Sequence, residues 1–126
     1  MIECLLIDDD LDDQEVFKLC VEKLSNKINF TGLTDSVEAV SSLNSNSNYT
    51  PQYIFLDMNM PKMNGMQCLA LLRQIHRLNQ SKIFMYSTTS EDTMVSKSKA
   101  MGADNFIVKP ARMAELKARL IEIFEL

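Results

Sequence analysis

The sequence has one histidine, three cysteines and no apolar run near the length of a membrane helix. The lone His76 excludes a multi-histidine metal site, and its place between Arg73 and Arg77 reads as a solvated helix surface. Cys4, Cys20 and Cys68 are odd in number, share no metal-type spacing and each lie in an apolar stretch. They read as reduced packing residues of a cytoplasmic protein, against a disulfide framework or a nucleophile. No apolar run approaches the roughly 18–20 residues that span a bilayer. The start, Met1-Ile2-Glu3-Cys4-Leu5-Leu6-Ile7, lacks a basic region and runs into aspartates, so it is no secretory signal. There is no basic patch either: 13 Lys+Arg against 17 Asp+Glu give a net −4, which argues against nucleic acid as the ligand.

What is present is an ordinary globular composition, 46% apolar and 24% charged over 126 residues. That predicts one domain over residues 1–126, with no output domain. The acidity is local. Asp8, Asp9, Asp10, Asp12, Asp13 and Glu15 hold six of the acids, and the rest of the chain, thirteen bases against eleven acids, carries +2.

Five short apolar runs recur at Ile2–Ile7, Ile28–Leu33, Tyr53–Leu56, Lys82–Tyr86 and Asn105–Val108. Most are continuously apolar, as strands buried on both faces of a parallel sheet must be. Segments with helical period lie between them. Val16, Phe17, Cys20 and Leu24 form one stripe, Cys68, Leu69, Leu72 and Ile75 another, and Met113, Leu116, Leu120, Ile123 and Phe124 a third. Strands alternating with helices predict a doubly wound α/β sheet with right-handed crossovers and helices on both faces. Boundary signals agree. Ser90-Glu91-Asp92 reads as a helix cap, Gly102 as the end of the fourth helix, Gly65 as the start of the third, and Pro110 precedes the last. Ser41–Asn48, low in complexity, reads as a surface loop.

In such sheets ligands bind beyond the carboxyl ends of the strands. Those ends carry Asp8-Asp9-Asp10, Asp57, Ser87-Thr88-Thr89 and Lys109-Pro110. Converging carboxylates repel and resist desolvation unless a cation sits among them. A hard divalent ion such as Mg²⁺ fits oxygen ligands of this kind, with Asp9 and Asp57 direct and Asp8 through water. With Lys109 as a second positive charge and the Ser87 hydroxyl as a donor, these are the parts for phosphoryl transfer to a carboxylate, Asp57.

Four elements in register, Leu6-Ile7-Asp8-Asp9-Asp10, Phe55 through Gly65 with Asp57-Met58-Asn59-Met60-Pro61, Tyr86-Ser87-Thr88, and Gly102 through Pro110 with Lys109-Pro110, resemble the response-regulator receiver domain of two-component signalling, in its stand-alone chemotaxis-type form. The likeness covers essentially the whole chain. It implies a flavodoxin-like (βα)5 fold with strand order 2-1-3-4-5. It implies Asp57 as phosphoacceptor, Asp8 and Asp9 with Asp57 and the Asn59 carbonyl as the Mg²⁺ site (Mn²⁺ substituting), and Lys109 as the phosphoryl-binding lysine. Ser87 and Phe106 become the switch hydroxyl and aromatic. Phosphorylation by a sensor histidine kinase or a histidine phosphotransfer protein would remodel the fourth helix, fifth strand and fifth helix. That surface is the one for a downstream protein target or a homodimer. The Lys109-Pro110 bond is expected cis. Such a protein accepts a phosphoryl group and loses it again, and is not a multiple-turnover enzyme. Thr88 stands where a small residue most often follows the hydroxyl, and Thr89 and Asn59 are uncharged; these bear on how long the phosphoryl group lasts.

Other readings remain open at this level. A phosphorylation-independent adaptor of the same shape is one. Asp8-x-Asp10 also resembles the start of a haloacid-dehalogenase phosphatase motif, though position 12 lacks Thr or Val. Asp8-x-Asp10-x-Asp12 imitates a calcium loop, but Asp13 holds the glycine position and Leu19 the glutamate position. Asp12, Asp13 and Glu15 read as solvated acids at the positive end of the first helix. Met58, Met60, Met63 and Met66 read as adaptable packing around the site.

Overall fold

The computed structural model describes all 126 residues. Ten elements alternate along the chain: β1 (Ile2–Ile7), α1 (Leu11–Leu24), β2 (Ile28–Leu33), α2 (Ser36–Ser45), β3 (Tyr53–Asp57), α3 (Gly65–Leu72), β4 (Lys82–Ser87), α4 (Asp92–Ala100), β5 (Asn105–Val108) and α5 (Met113–Phe124). A 3₁₀ turn at His76–Leu78 leads into β4. All strands pair in parallel in the order β2-β1-β3-β4-β5, the flavodoxin-like doubly wound arrangement. The register sets Ile7 beside Leu56, Asp57 beside Tyr86 and Ser87 beside Val108. The carboxyl ends of the three central strands therefore finish along one edge.

The central strands β1, β3 and β4 are mainly apolar because both faces are covered. Leu5, Ile7, Ile54, Leu56, Ile83 and Met85 pack against Ala39, Val40 and Leu43 of α2 and Cys68, Leu69 and Leu72 of α3. The alternate residues Cys4, Leu6, Phe55, Phe84 and Tyr86 pack against Phe17, Cys20 and Val21 of α1 and Leu116, Leu120 and Phe124 of α5. All three cysteines are free and buried, and burial pushes their thiols up, which keeps them unreactive. Met58 and Met60 are buried, with Met63 and Met66 packed against the same cluster.

Three local expectations are corrected. Val16 is exposed, and the buried stripe of α1 runs through Phe17, Cys20 and Val21. Residues 41–45 are helical: Leu43, 1% exposed, anchors the second half of α2, and burial of that one side chain outweighs the weak helix preference of its Ser and Asn neighbours. At α4 the N-cap is Glu91, without a side-chain cap bond, so Ser90 caps nothing.

Gly102 follows the C-cap of α4 with φ 112, where a side chain would be strained, and an added Cβ would also lie 2.9 Å from Cγ of Arg73. That arginine donates to the carbonyls of Gly102, Leu78 and Ser81 and pairs with Asp104 at 3.1 Å, tying the end of α3 to β4 and β5 away from the site. Lys62, between β3 and α3, is also left-handed, with φ 67. Its ion pair with Asp35, at 3.2 Å, is worth little because its side chain is 70% exposed. Lys62→Gly is therefore expected to stabilise the fold by about 0.5 kcal/mol, relief of strain exceeding the extra chain entropy of glycine. Urea unfolding checks this, and a loss of stability would show that the ion pair outweighs the strain.

Candidate functional site

The site is an acidic cleft of about 730 Å³ at the carboxyl edge, lined by residues of the acidic run together with Asp57, Asn59, Thr88 and Lys109. The loops after β1, β3, β4 and β5 build it. After β1 the chain turns at once. Asp8 Oδ1 accepts the Asp10 N–H at 2.9 Å, and Asp10 Oδ1 in turn accepts the Asp13 N–H at 3.0 Å as the N-cap of α1. The acidic run thus folds on itself, which leaves Asp8 buried at 0% exposure and Asp9 exposed. Gln14 secures this turn from behind, its side-chain amide donating to the carbonyls of Asp8 and Leu33 at 2.9 and 3.0 Å.

Asp57 ends β3 at 5% exposure. Behind it Gly65 opens α3, donating its N–H to Met58 O at 2.9 Å, and Asn64 and Gln67 close a capping box. Lys109 follows β5. Its N–H donates to Ser87 O at 2.6 Å, and its ammonium, only 10% exposed, meets Asp13, Asp8 and Asp57. The Lys109–Pro110 bond is trans, which corrects the cis expectation. Trans is the cheaper isomer by about 0.5–1 kcal/mol, and the backbone bond and three carboxylates already aim the lysine.

Electrostatics here follow from burial. Desolvation, then the charge of Asp8, pushes the Asp57 carboxyl up to about 6, against the opposing pull of Lys109 and the Asn59 N–H. Burial likewise raises Asp8, with Lys109 and the Asp10 N–H opposing. Burial disfavours the charge on Lys109, but Asp13, Asp8 and Asp57 outweigh it and hold the ammonium well above its usual value.

Asp8, Asp9 and Asp57 each offer a carboxylate oxygen, and these oxygens all lie within 4.8 Å of one another. Asp8 Oδ2 is buried, and its one partner is the Lys109 ammonium, 2.9 Å away. Three carboxylates converging around a single lysine are an oxygen donor set with room for a hard cation, so the residues present fit Mg²⁺ or Mn²⁺. Asn59 lines the same cleft. Ser87 is buried, and its hydroxyl accepts only from the Thr89 N–H, at 3.5 Å. Phe106 is 8% exposed and belongs to the core cluster against which Met94 and Val95 of α4 pack, so the aromatic is already inside.

Asp13 corrects the solvated-acid reading. It is in contact with Lys109 and lies in the site.

The fold and this cleft define a doubly wound α/β domain whose site is a set of carboxylates around one lysine. A family model described as the response regulator receiver domain matches residues 4–121, and the chain belongs to that family, the receiver modules of two-component signalling. It is similar to the CheY of a CheX–CheY–BeF3–Mg²⁺ complex from Borrelia burgdorferi, at 26% identity and TM-score 0.80, covering 98% of this chain and 89% of that one. The fold also matches Mn²⁺-bound response regulator Rcp1, with 23% identity, TM-score 0.85 and coverage of 100% and 95%. A phosphorylated cyanobacterial phytochrome response regulator, RcpA, matches with 21% identity, TM-score 0.87 and coverage of 98% and 91%. Receiver domains are signalling modules, not multiple-turnover enzymes. Membership sets aside the dehalogenase and calcium-loop readings, and Asp10, their shared requirement, serves here as the helix cap. No helix is long and apolar enough to cross a membrane.

Proposed function

We propose that the protein is a phosphoacceptor switch: Asp57 takes a phosphoryl group from a phosphohistidine of a histidine kinase or phosphotransfer protein. The observation that carries this is the convergence of buried Asp57 with Asp8, Asp9 and Lys109 at one sheet edge. An Asp57 carboxylate oxygen attacks phosphorus, the P–O bond forms and the P–N bond breaks. The leaving imidazole nitrogen keeps the electron pair and takes a proton from water. Asp8, Asp9 and Asp57, with the Asn59 carbonyl, would hold Mg²⁺, with Mn²⁺ able to substitute. When bound, the ion neutralises charge on the incoming phosphoryl group. Lys109 supplies the second positive charge, and the Ser87 hydroxyl a donor to a phosphoryl oxygen.

Output runs through protein docking at α4, β5 and α5, by a downstream target or a second copy, and not through nucleic acid. Because Phe106 is already buried, the change at that surface follows Ser87 and the β4–α4 loop more than a swing of the aromatic ring. Thr88 at the cleft, and the lack of an acid at Asn59 and Thr89, favour slow autodephosphorylation by leaving no group to orient water. Three reduced, buried thiols support a cytoplasmic setting.

Acetyl phosphate with Mg²⁺ is expected to add one hydroxylamine-sensitive phosphoryl group, seen by intact mass, and Asp57→Asn to abolish it. No adduct on the natural sequence would leave the phosphorylation-independent adaptor as the reading; an adduct surviving Asp57→Asn would place the acceptor elsewhere.

A further inference from the structure

The three anions around Lys109 are not equivalent. Nζ lies 2.5 Å from Asp13 Oδ2, 2.9 Å from Asp8 Oδ2 and 3.5 Å from Asp57 Oδ1. The contact with Asp13 is the shortest of the three, and that with Asp57 the longest. Asp57 has no other cation within ion-pair distance, so the lysine that a phosphoryl group there would need is held by a different carboxylate. Asp13 also differs in setting. Its side chain is 34% exposed, at the rim of the cleft, whereas that of Asp8 is fully buried. It stands outside the Asp8, Asp9 and Asp57 set whose oxygens converge. Its backbone is fixed by the Asp10 cap, and a helical side chain leans back over the preceding turn, which carries this carboxylate over the end of β1 toward β5.

We infer that Asp13 is a positioning residue, a resting counter-ion that holds the Lys109 ammonium in its shortest contact until a phosphoryl oxygen displaces it. This rests on the phosphoacceptor reading. Engagement of Lys109 with the phosphorylated site requires an exchange of ion-pair partners, and the strength of the Asp13 pair sets how far the phosphorylated state is disfavoured. The Asp13→Asn variant keeps the shape and removes the competitor. The Asp13→Glu variant keeps the charge.

Beryllofluoride, a reversible phosphoryl mimic, tests this in the presence of Mg²⁺, with affinities read from backbone amide shifts. The natural sequence, Asp13→Asn, Asp13→Ala, Asp13→Glu, Lys109→Met and the double variant Asp13→Asn with Lys109→Met are compared. Asp13→Asn and Asp13→Ala are expected to bind about three- to tenfold tighter than the natural sequence, and Asp13→Glu within about twofold of it. With Lys109→Met in place, Asp13→Asn should change affinity by less than about twofold, because the partner through which it acts is gone. Unchanged or weaker binding by Asp13→Asn overturns the inference. So does an equal gain with and without Lys109, which would show loss of charge acting through space. Failure of the natural sequence to take up beryllofluoride overturns the phosphoacceptor reading itself; uptake without an Asp13 effect overturns only the role of Asp13.

Discussion

Gly65→Ala is expected to destabilise the protein by at least about 3 kcal/mol and to displace the Asp57 backbone. A Cβ at this position would lie 2.3 Å from Asp57 O, 2.8 Å from Met58 Cα and 3.0 Å from Asp57 C. None of these is the end of a flexible side chain, so the clash is relieved only by moving α3 off the sheet or by moving the end of β3. The first exposes Cys68, Leu69 and Leu72, all at 0% exposure, and breaks the Gly65 N–H to Met58 O bond. The second shifts Asp57 itself. Either route couples stability to the site. Urea unfolding gives the stability change, and amide shifts at 57–59 report the displacement. A loss below about 1 kcal/mol would mean that the loop yields freely and that glycine is not required there.

That requirement shows what the sequence made legible and what it did not. Strand positions were readable almost to the residue, because a parallel strand covered on both faces is an uninterrupted apolar run; β3 and β4 each extend one residue further, to Asp57 and Ser87. Gly65 was readable as a helix start, but not that its missing Cβ makes room for the Asp57 carbonyl, a contact made only after folding. Asp8, Asp9, Asp57 and Lys109 were readable as a set because each stands at the end of an apolar run. Asp13 was not, since acids in a first helical turn are common for dipole reasons alone, and nothing local shows that Lys109, ninety-six positions away, meets it. Gln14 was missed for a related reason: its amide serves carbonyls of two strands, and a surface glutamine looks the same in one dimension. The Ser- and Asn-rich end of α2 failed in the opposite sense, composition outvoting the single buried Leu43.

The other large effect is expected at Lys109. Lys109→Met should cost about 2–4 kcal/mol at neutral pH without a divalent cation, through the carboxylates it abandons. Asp8 and Asp57 are almost fully buried, and Lys109 is the one cation within ion-pair distance of either. Asp57 already titrates near 6 with the lysine present, because burial and Asp8 raise it. Removing the cation moves both carboxyls further up. A carboxyl whose pKa is raised by folding destabilises the native state above that pKa, and the penalty fades as pH falls through it toward the unfolded value near 3.8. The variant's deficit should therefore be largest above the raised carboxyl values of the variant and shrink as pH falls through them toward about 6, the reverse of what loss of a surface ion pair formed by a normally acidic carboxylate would produce. Two rescues separate charge from packing. Asp57→Asn in the Lys109→Met background should recover more than half of the loss at neutral pH. Millimolar Mg²⁺ should recover part of it, with Asp8, Asp9 and Asp57 as its ligands. Urea unfolding across this pH range checks all three arms. An equal deficit at about pH 7.5 and pH 5 that neither Asp57→Asn nor Mg²⁺ relieves would show that the aliphatic stem of Lys109 matters more than its charge.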